Sequence, residues 1–247
     1  MKRLLFIAGS ISLLLASLPA LAQSNAQFAK ANEEFATGHF KEAIDNFETL
    51  VRSGQWSANL FYDLGNAYFR SGDFGRAILN YERVLAFEPR HPEATANLKI
   101  ARDEARALEL ATTMPERTLR FASLNQYAIA AAIAVWLGAF ALVSLIFARR
   151  RSIGLIAFSI LSLSIFAFSV AAITSIDFGN KGHDLAVVTD KEVQARVATA
   201  DNANSVLALP PGSEIRILSK RGDWIYAALP NNLRGWISAK SAENVRL

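Results

Sequence analysis

Two long apolar runs dominate the pattern of hydrophobic and polar positions along the chain. Residues 127–148 contain no charged side chain, and neither do residues 152–176. About 20 apolar residues, at about 1.5 Å rise each, are enough to cross the roughly 30 Å hydrocarbon core of a bilayer as a helix. Two adjacent runs of this length therefore predict a hairpin of transmembrane helices rather than core helices of a soluble domain.

The loop between the two runs consists of three arginines, Arg149, Arg150 and Arg151. Positive residues in short loops remain on the cytoplasmic side of the membrane, so this loop predicts the direction of the hairpin. Both flanking segments, 23–126 and 177–247, are then expected on the opposite, periplasmic side of a bacterial inner membrane.

Residues 1–22 have the pattern of a secretory signal peptide. The positive residues Lys2 and Arg3 precede an apolar run that ends in a small-x-small motif. Cleavage is expected between Ala22 and Gln23. The alternative is an uncleaved anchor, and either interpretation exports the segment that follows.

Residues 23–112 repeat with a period of 34 residues. The equivalent pairs are Gly38/Gly72, Phe40/Phe74, Ala43/Ala77 and Phe47/Tyr81. The second copy resembles a tetratricopeptide repeat through Phe61, Leu64, Gly65, Tyr68, Gly72, Phe74, Ala77, Tyr81 and Pro89. The first copy departs from that family where Ala31, Glu34 and Gln55 replace the glycine, the aromatic residue and the proline. The resemblance implies stacked pairs of antiparallel helices.

A third helix is predicted over 92–110, beginning at Pro92, whose missing N–H costs nothing in a first turn. Leu98 and Ala101 are expected to pack on the second repeat. Its charged residues suggest a capping helix with a polar outer face, namely Arg102, Asp103, Glu104 and Arg106.

The first helix of each repeat carries two aromatic residues and an asparagine at positions i, i+4 and i+7, which places them on one stripe. The members are Phe28, Asn32 and Phe35 in the first repeat, and Tyr62, Asn66 and Phe69 in the second. In tetratricopeptide proteins this face resembles the ligand-binding one, so we interpret the six residues as a candidate peptide-binding site. An asparagine can donate to and accept from a peptide backbone. The alternative is that the aromatic residues only pack within the repeats.

Residues 113–126 connect the repeats to the first apolar run. Arg117 and Arg120 alternate there with Leu119, Phe121 and Leu124. This composition fits a stretch that lies at the membrane interface, and it fits a plain linker equally well.

Residues 177–247 change to short strands and turns, which predict a small β-barrel. The strands are expected at 185–189, 193–198, 205–209, 215–219, 224–229 and 235–238. The stretches 207–215, 221–225 and 234–237 resemble a bacterial SH3-like domain, although 194–198 lacks that family's early turn, so its ligand preferences do not carry over. We expect a separately folding module with Trp224 in its core. Tyr226 and Trp236 are candidates for a peptide or glycan groove, or for the same core.

Charge and chemistry narrow the function classes. Segment 23–126 has 12 basic and 14 acidic residues, and segment 177–247 has 9 and 8, so neither has a basic field for nucleic acid. The chain has no cysteine and no nucleotide-binding, hydrolase or zinc-protease motif. His39, His91 and His183 are far apart. We therefore expect no enzyme, no metal and no cofactor.

The complete order of segments resembles the BatE-type proteins of the aerotolerance (Bat) gene cluster. The resemblance is carried by 31–43, 65–89 and 222–237 together with the order of the segments. It implies a non-enzymatic inner-membrane scaffold that works beside von Willebrand-type membrane proteins in envelope or oxidative-stress tolerance. The alternative function is peptidoglycan binding through the SH3-like segment.

Overall fold

A computed structural model describes residues 25–147 and 152–247 of the chain. The signal cleavage site at Ala22 and Gln23 and the arginine loop Arg149–Arg151 lie outside these ranges. The described helices are α1 (25–36), α2 (Phe40–Arg52), α3 (Ala58–Arg70), α4 (Phe74–Phe87), α5 (Pro92–Ala105), α6 (Met114–Leu119), α7 (Leu124–Phe147) and α8 (Ile153–Asp177).

Helices α1 to α5 confirm the predicted helical repeat. The side chains of Ser57 and Asp73 cap α3 and α4 by accepting backbone N–H groups, as N-cap residues do. A Cβ atom at Gly65 would lie 2.8 Å from the ring of Tyr81, so only glycine allows α3 and α4 to approach this closely. Leu98 and Ala101 of α5 are buried against this pair, as predicted.

Helix α5 ends at Ala105, five residues before its predicted end. Arg106 adopts a left-handed conformation with φ of 52°, which stops the helix. The chain beyond it turns towards the C-terminal sheet, where Leu108 packs against the core of that sheet. The expected polar outer face is wrong for Arg102, whose side chain is only 15% exposed.

The C-terminal segment forms one antiparallel sheet of seven strands in the order β3-β2-β6-β5-β4-β1-β7. The strands are β1 (Leu185–Val188), β2 (Val193–Arg196), β3 (Ser205–Leu209), β4 (Glu214–Arg221), β5 (Trp224–Ala228), β6 (Arg234–Ser238) and β7 (Ala242–Asn244). The six predicted strands are all present, and β7 is additional. The interior face of the sheet buries a cluster that includes Val188, Ile215, Ile225 and Ile237.

The sheet is not closed into a barrel, so that part of the prediction is wrong. Bulges in β2 and β4 bend the sheet around its core. The edge strands β3 and β7 nevertheless do not pair with each other in the described part of the chain. The physical reason lies at β7, where helix α4 takes the place of a strand: the Arg83 guanidinium donates to the backbone oxygen of Asn244 at 3.2 Å.

The helical repeat and the sheet share one hydrophobic core. Leu185, Val187 and Val245 from the sheet are buried in the same cluster as Ile78 of α4 and Leu98 of α5. The expectation of a separately folding C-terminal module is therefore replaced by a two-layer unit of helices and sheet.

A buried group of charges, here called the charge cluster, joins the same two layers. Arg102 of α5 is paired with Glu82 of α4 and with Glu214 of β4. The Lys181 ammonium lies 2.8 Å from Glu214, and both cations also contact Glu109. Burial raises the pKa of the fully buried Glu214 carboxyl, with a further rise from Glu82, against the lowering effect of Lys181 and Arg102.

Helices α7 and α8 form an antiparallel pair, as the apolar runs predict. Both are long and apolar enough to cross a membrane, and little of either is buried within the protein. Small residues line their contact, and a Cβ at Gly138 would lie 3.4 Å from the Ser162 Cβ. Large apolar side chains such as Ile133 and Phe158 point outwards. This arrangement is compatible with a membrane protein.

The segment before α7 is structured rather than a plain linker, and we call residues 113–123 the collar. Its helix α6 begins with a capping box between Thr113 and Glu116 and packs against α8. The buried Glu116 carboxylate accepts from Arg120 at 3.0 Å and from the backbone N–H of Lys181 at 2.9 Å. The Tyr127 hydroxyl donates to the Leu119 carbonyl. The collar thus ties the helical hairpin to the layers above it.

Candidate functional site

A cleft of about 230 Å³ lies on the face formed by the first helices of the repeat. We call it the repeat cleft. Its lining residues are Phe35, Asn66, Phe69, Arg70, Tyr81, Asn97 and Ile100. Three of the six predicted peptide-binding residues, Phe35, Asn66 and Phe69, therefore meet at one site. The other three, Phe28, Asn32 and Tyr62, lie on the same helices outside this lining.

Asn66 is the centre of a hydrogen-bond network that links three helices. Its Oδ1 atom accepts from the Tyr81 hydroxyl at 2.8 Å and from Asn97 Nδ2 at 3.0 Å. Asn97 Nδ2 also donates to the Tyr62 hydroxyl at 3.3 Å. Because an amide oxygen has two lone pairs, Asn66 has no acceptor left for a ligand.

The donors of the two asparagines remain available for a ligand. Within residues 25–147 and 152–247, the Asn66 Nδ2 group has no hydrogen-bond partner, and neither has the partly exposed side chain of Asn32. A bound peptide carbonyl could accept from these amides. The prediction that both asparagines donate and accept therefore changes for Asn66, which can only donate.

Asn97 and Ile100 belong to the site although the sequence pattern did not single them out. A shift of 34 residues from Asn66 leads to Ile100, an apolar residue that is 49% exposed in the cleft. Asn97 lies one helical turn earlier. Applying the period to the third helix would have found Ile100, whereas Asn97 becomes visible only through its contact with Asn66.

The aromatic residues of the stripe pack within their own repeats and still reach the surface. Each pairs with an aromatic residue of the second helix, and the pairs recur at the period of the repeat. The ring centroids are 5.8 Å apart for Phe28–Phe47, 6.2 Å for Tyr62–Tyr81, 5.6 Å for Phe35–Phe40 and 5.4 Å for Phe69–Phe74. None of the four stripe residues is fully buried. Both interpretations of the stripe therefore describe part of what these side chains do.

Asp63 adds an acidic group to this face of α3. It stands at the same separation from Asn32 as Asn97 does from Asn66, so the repeat places it in the equivalent position. The carboxylate has no hydrogen bond or ion pair within the described residues, and burial raises its pKa to about 6. Carboxyl groups that are buried without a partner are more frequent at functional sites than elsewhere.

The proposed groove of the sheet lies on its outer face. Tyr226 and Trp236 are cross-strand neighbours with ring centroids 5.0 Å apart, and both are partly exposed. Trp224 is on the same face, so its predicted place in the core is wrong. The core of these two strands consists instead of Ile225, Ala227 and Ile237, because strand residues alternate between faces.

Metal-binding residues do not converge in the described ranges: no three His, Asp or Glu side chains there could hold one ion. The three histidines each contact a nearby carboxylate on a separate element. The chemistry that the repeat cleft offers is therefore recognition, through an apolar floor, amide donors and charged groups at its rim.

Comparison with known proteins identifies one part of the chain. The family model described as tetratricopeptide repeat matches residues 28–92 and again residues 62–111. No curated protein matches the chain. The matched residues cover α1 to α5 and contain the whole repeat cleft. Residues 28–111 thus form tetratricopeptide-like repeats, which are protein–protein interaction modules.

Proposed function

We propose that this chain is a non-enzymatic scaffold of a bacterial inner membrane, whose helical repeat captures an extended segment of a partner protein. The observation that carries the proposal is the repeat cleft, where an exposed apolar floor adjoins unpartnered amide donors. The match of this segment to tetratricopeptide repeats supports protein binding as its general role.

The cleft divides recognition between two kinds of contact. Ile100, Phe35 and Phe69 offer a surface of suitable size for one apolar side chain of the partner. The Asn66 Nδ2 group donates to a backbone carbonyl of the same segment, since its oxygen is already occupied. This combination favours an extended peptide with an apolar residue over a small polar metabolite.

The location of the scaffold follows from the sequence. The signal peptide and the arginine loop support placing both the repeat and the sheet on the periplasmic side. The BatE-type resemblance supports a partner among von Willebrand-type membrane proteins of a Bat-like system, with a role in aerotolerance or envelope stress.

The experiment compares an aspartate in the cleft with an aspartate elsewhere. A peptide selected from a random display library against the purified full chain serves as the probe. Ile100→Asp should weaken its binding at least about tenfold, because a charge then replaces the apolar floor. Leu233→Asp, at a partly exposed position on the sheet, is the matched control and should bind normally. Equal binding by both variants would refute the proposed site.

A second candidate function rests on the exposed pair Tyr226–Trp236. Aromatic rings on an open sheet face can stack on sugar rings, which supports cell-wall glycan as an alternative ligand. Cosedimentation with isolated peptidoglycan distinguishes the candidates. Trp236→Ala should abolish it if the sheet binds glycan, whereas Ile100→Asp should not.

A further inference from the structure

A second cleft, of about 360 Å³, lies where the end of α8, the collar and strand β4 meet. We call it the neck cleft. Its lining residues are Thr113, Pro115, Thr174, Ser175, Phe178, Gly179, Asn180 and Arg216. The repeat cleft is built from other helices, so the two sites share no residue.

Arg216 is the charged residue of the neck cleft, and its charge is not balanced by a carboxylate in the described part of the chain. Its Nη1 atom is 3.5 Å from the Phe178 carbonyl, a long contact, and its buried Nε–H has no acceptor. Arg83 and Arg102 also have an unpartnered Nε, yet each is paired with glutamate. A guanidinium in this state is suited to an anion that the protein itself does not supply.

Neutral groups of the same cleft offer further hydrogen bonds. The Ser175 hydroxyl and the Asn180 side-chain oxygen have no partner among residues 25–147 and 152–247, while Asn180 Nδ2 is held by the Ala111 carbonyl. No acidic side chain lines the cleft. Its polarity thus favours a negatively charged ligand with oxygen atoms.

The depth of the cleft relative to a bilayer follows from the length of α8. Its 25 residues span about 37 Å, a few ångströms more than the roughly 30 Å hydrocarbon core. Thr174 and Ser175 are in the last turn, so they lie at the level of the lipid headgroups when the helix crosses the membrane. Phe178 follows directly and is 68% exposed, as aromatic residues at membrane interfaces often are.

We propose that the neck cleft binds the headgroup phosphodiester of a membrane glycerophospholipid. The Arg216 fork faces two phosphate oxygens, the Ser175 hydroxyl donates to one of them, and Phe178 packs against the glycerol and upper acyl chain. Free inorganic phosphate has the same charge chemistry but lacks the apolar part that Phe178 and α8 would contact. The proposal rests on the membrane insertion of the hairpin, but not on peptide capture by the repeat.

The test uses the full chain purified in a neutral detergent. Dioctanoyl-phosphatidylglycerol is the probe, and binding is measured by the rise in melting temperature and by native mass spectrometry. We expect Arg216→Gln to weaken lipid binding at least about tenfold, as the loss of a charged hydrogen bond would. Arg221→Gln, at the exposed far end of the same strand, is the matched control and should bind like the unaltered chain.

Three further measurements make the outcomes decisive. If Arg216→Gln does not fold, Arg216→Lys, which keeps the charge but loses the fork, should fold and bind more weakly than the unaltered chain. Dioctanoylglycerol and inorganic phosphate should each leave the melting temperature unchanged. Unaltered lipid binding by the Arg216 variants, or equal stabilisation by inorganic phosphate, would overturn the proposal. Arg216→Gln should still bind the selected peptide, so failure here is distinguishable from failure of the repeat cleft.

Discussion

At the scale of single residues, Asp63 shows how the repeat tolerates a polar group that does not help it to fold. The carboxylate is partly buried on α3 without a partner in the described part of the chain, which raises its pKa to about 6. Its folded-state pKa thus exceeds the value of about 3.9 in an unfolded chain. The protonated form stabilises the fold below about pH 4, and this contribution is lost as the pH rises through 6.

Asp63→Asn should therefore stabilise the protein at neutral pH. We expect a gain of about 1 kcal/mol at pH 7.5, reduced from the full linkage value because solvent screens the partly exposed carboxylate. At pH 4 the gain should vanish. Urea unfolding of the full chain in mild detergent at several pH values measures both. A variant with the same pH dependence as the unaltered chain would contradict the assigned pKa.

The limits of prediction are clearest at this scale. The period and the stripe were enough to find Asn66 and Phe69, because spacing alone places them on one face. They could not show that the Asn66 oxygen is already occupied, since Tyr81 and Asn97 come from two other helices. Trp224 was misplaced for a related reason: alternation along a strand is readable, but which face becomes the core depends on how the whole sheet bends.

At the scale of elements, the charge cluster joins α4 and α5 to β4. Arg102 is shared by Glu82 and Glu214, so each carboxylate is buried next to the same cation. Removal of one partner from such a group leaves uncompensated buried charge, which is far more costly than the loss of an exposed ion pair. The contact between the layers therefore depends on Arg102 more than on any surface ion pair.

Arg102→Met should destabilise the protein by about 3–5 kcal/mol, because it leaves Glu82 and Glu214 close together without their shared cation. The matched control is Arg52→Ala, which removes the exposed pair Arg52–Glu48 and should cost no more than about 1 kcal/mol. The defect of Arg102→Met should shrink as the pH is lowered, since protonation of either glutamate relieves the repulsion. Urea unfolding compares the two, and equal small losses would show that the cluster does not hold the layers together.

Element boundaries were predictable where local signals set them. The prolines and glycines of the C-terminal segment marked its turns, so six strands were located nearly to the residue. Strand β7 was missed because three residues, Ala242–Asn244, give no alternation pattern and become a strand only by pairing with β1. The end of α5 was missed because Leu108 and Leu110 continue the apolar pattern but serve the sheet and the shared core instead of the helix.

At the scale of the whole molecule, the shared core, the charge cluster and the collar link the repeat, the sheet and the hairpin. Such a unit holds the repeat cleft at a defined distance from the ends of α7 and α8. The order of segments was predictable from the sequence. Their mutual packing was not, because contacts such as Lys181–Glu214 join elements whose sequence patterns are independent.

The proposed topology can be tested with single cysteines, since the chain contains none. Lys41→Cys and Asp201→Cys, both at exposed positions, should react with a membrane-impermeant maleimide added to spheroplasts. Ser152→Cys, next to the arginine loop, should react only after the membrane is permeabilised. Reaction of Ser152→Cys from outside would reverse the proposed orientation.

The most direct test of peptide capture is photocrosslinking in intact membranes. A benzoylphenylalanine placed at Ile100, in the repeat cleft, should form a discrete adduct with one partner protein. The same group at Leu233, on the sheet, should not. The selected cleft peptide should compete the adduct away. Absence of an adduct at Ile100, or an adduct that the peptide does not displace, would contradict the account of this protein as a membrane-anchored peptide-binding scaffold.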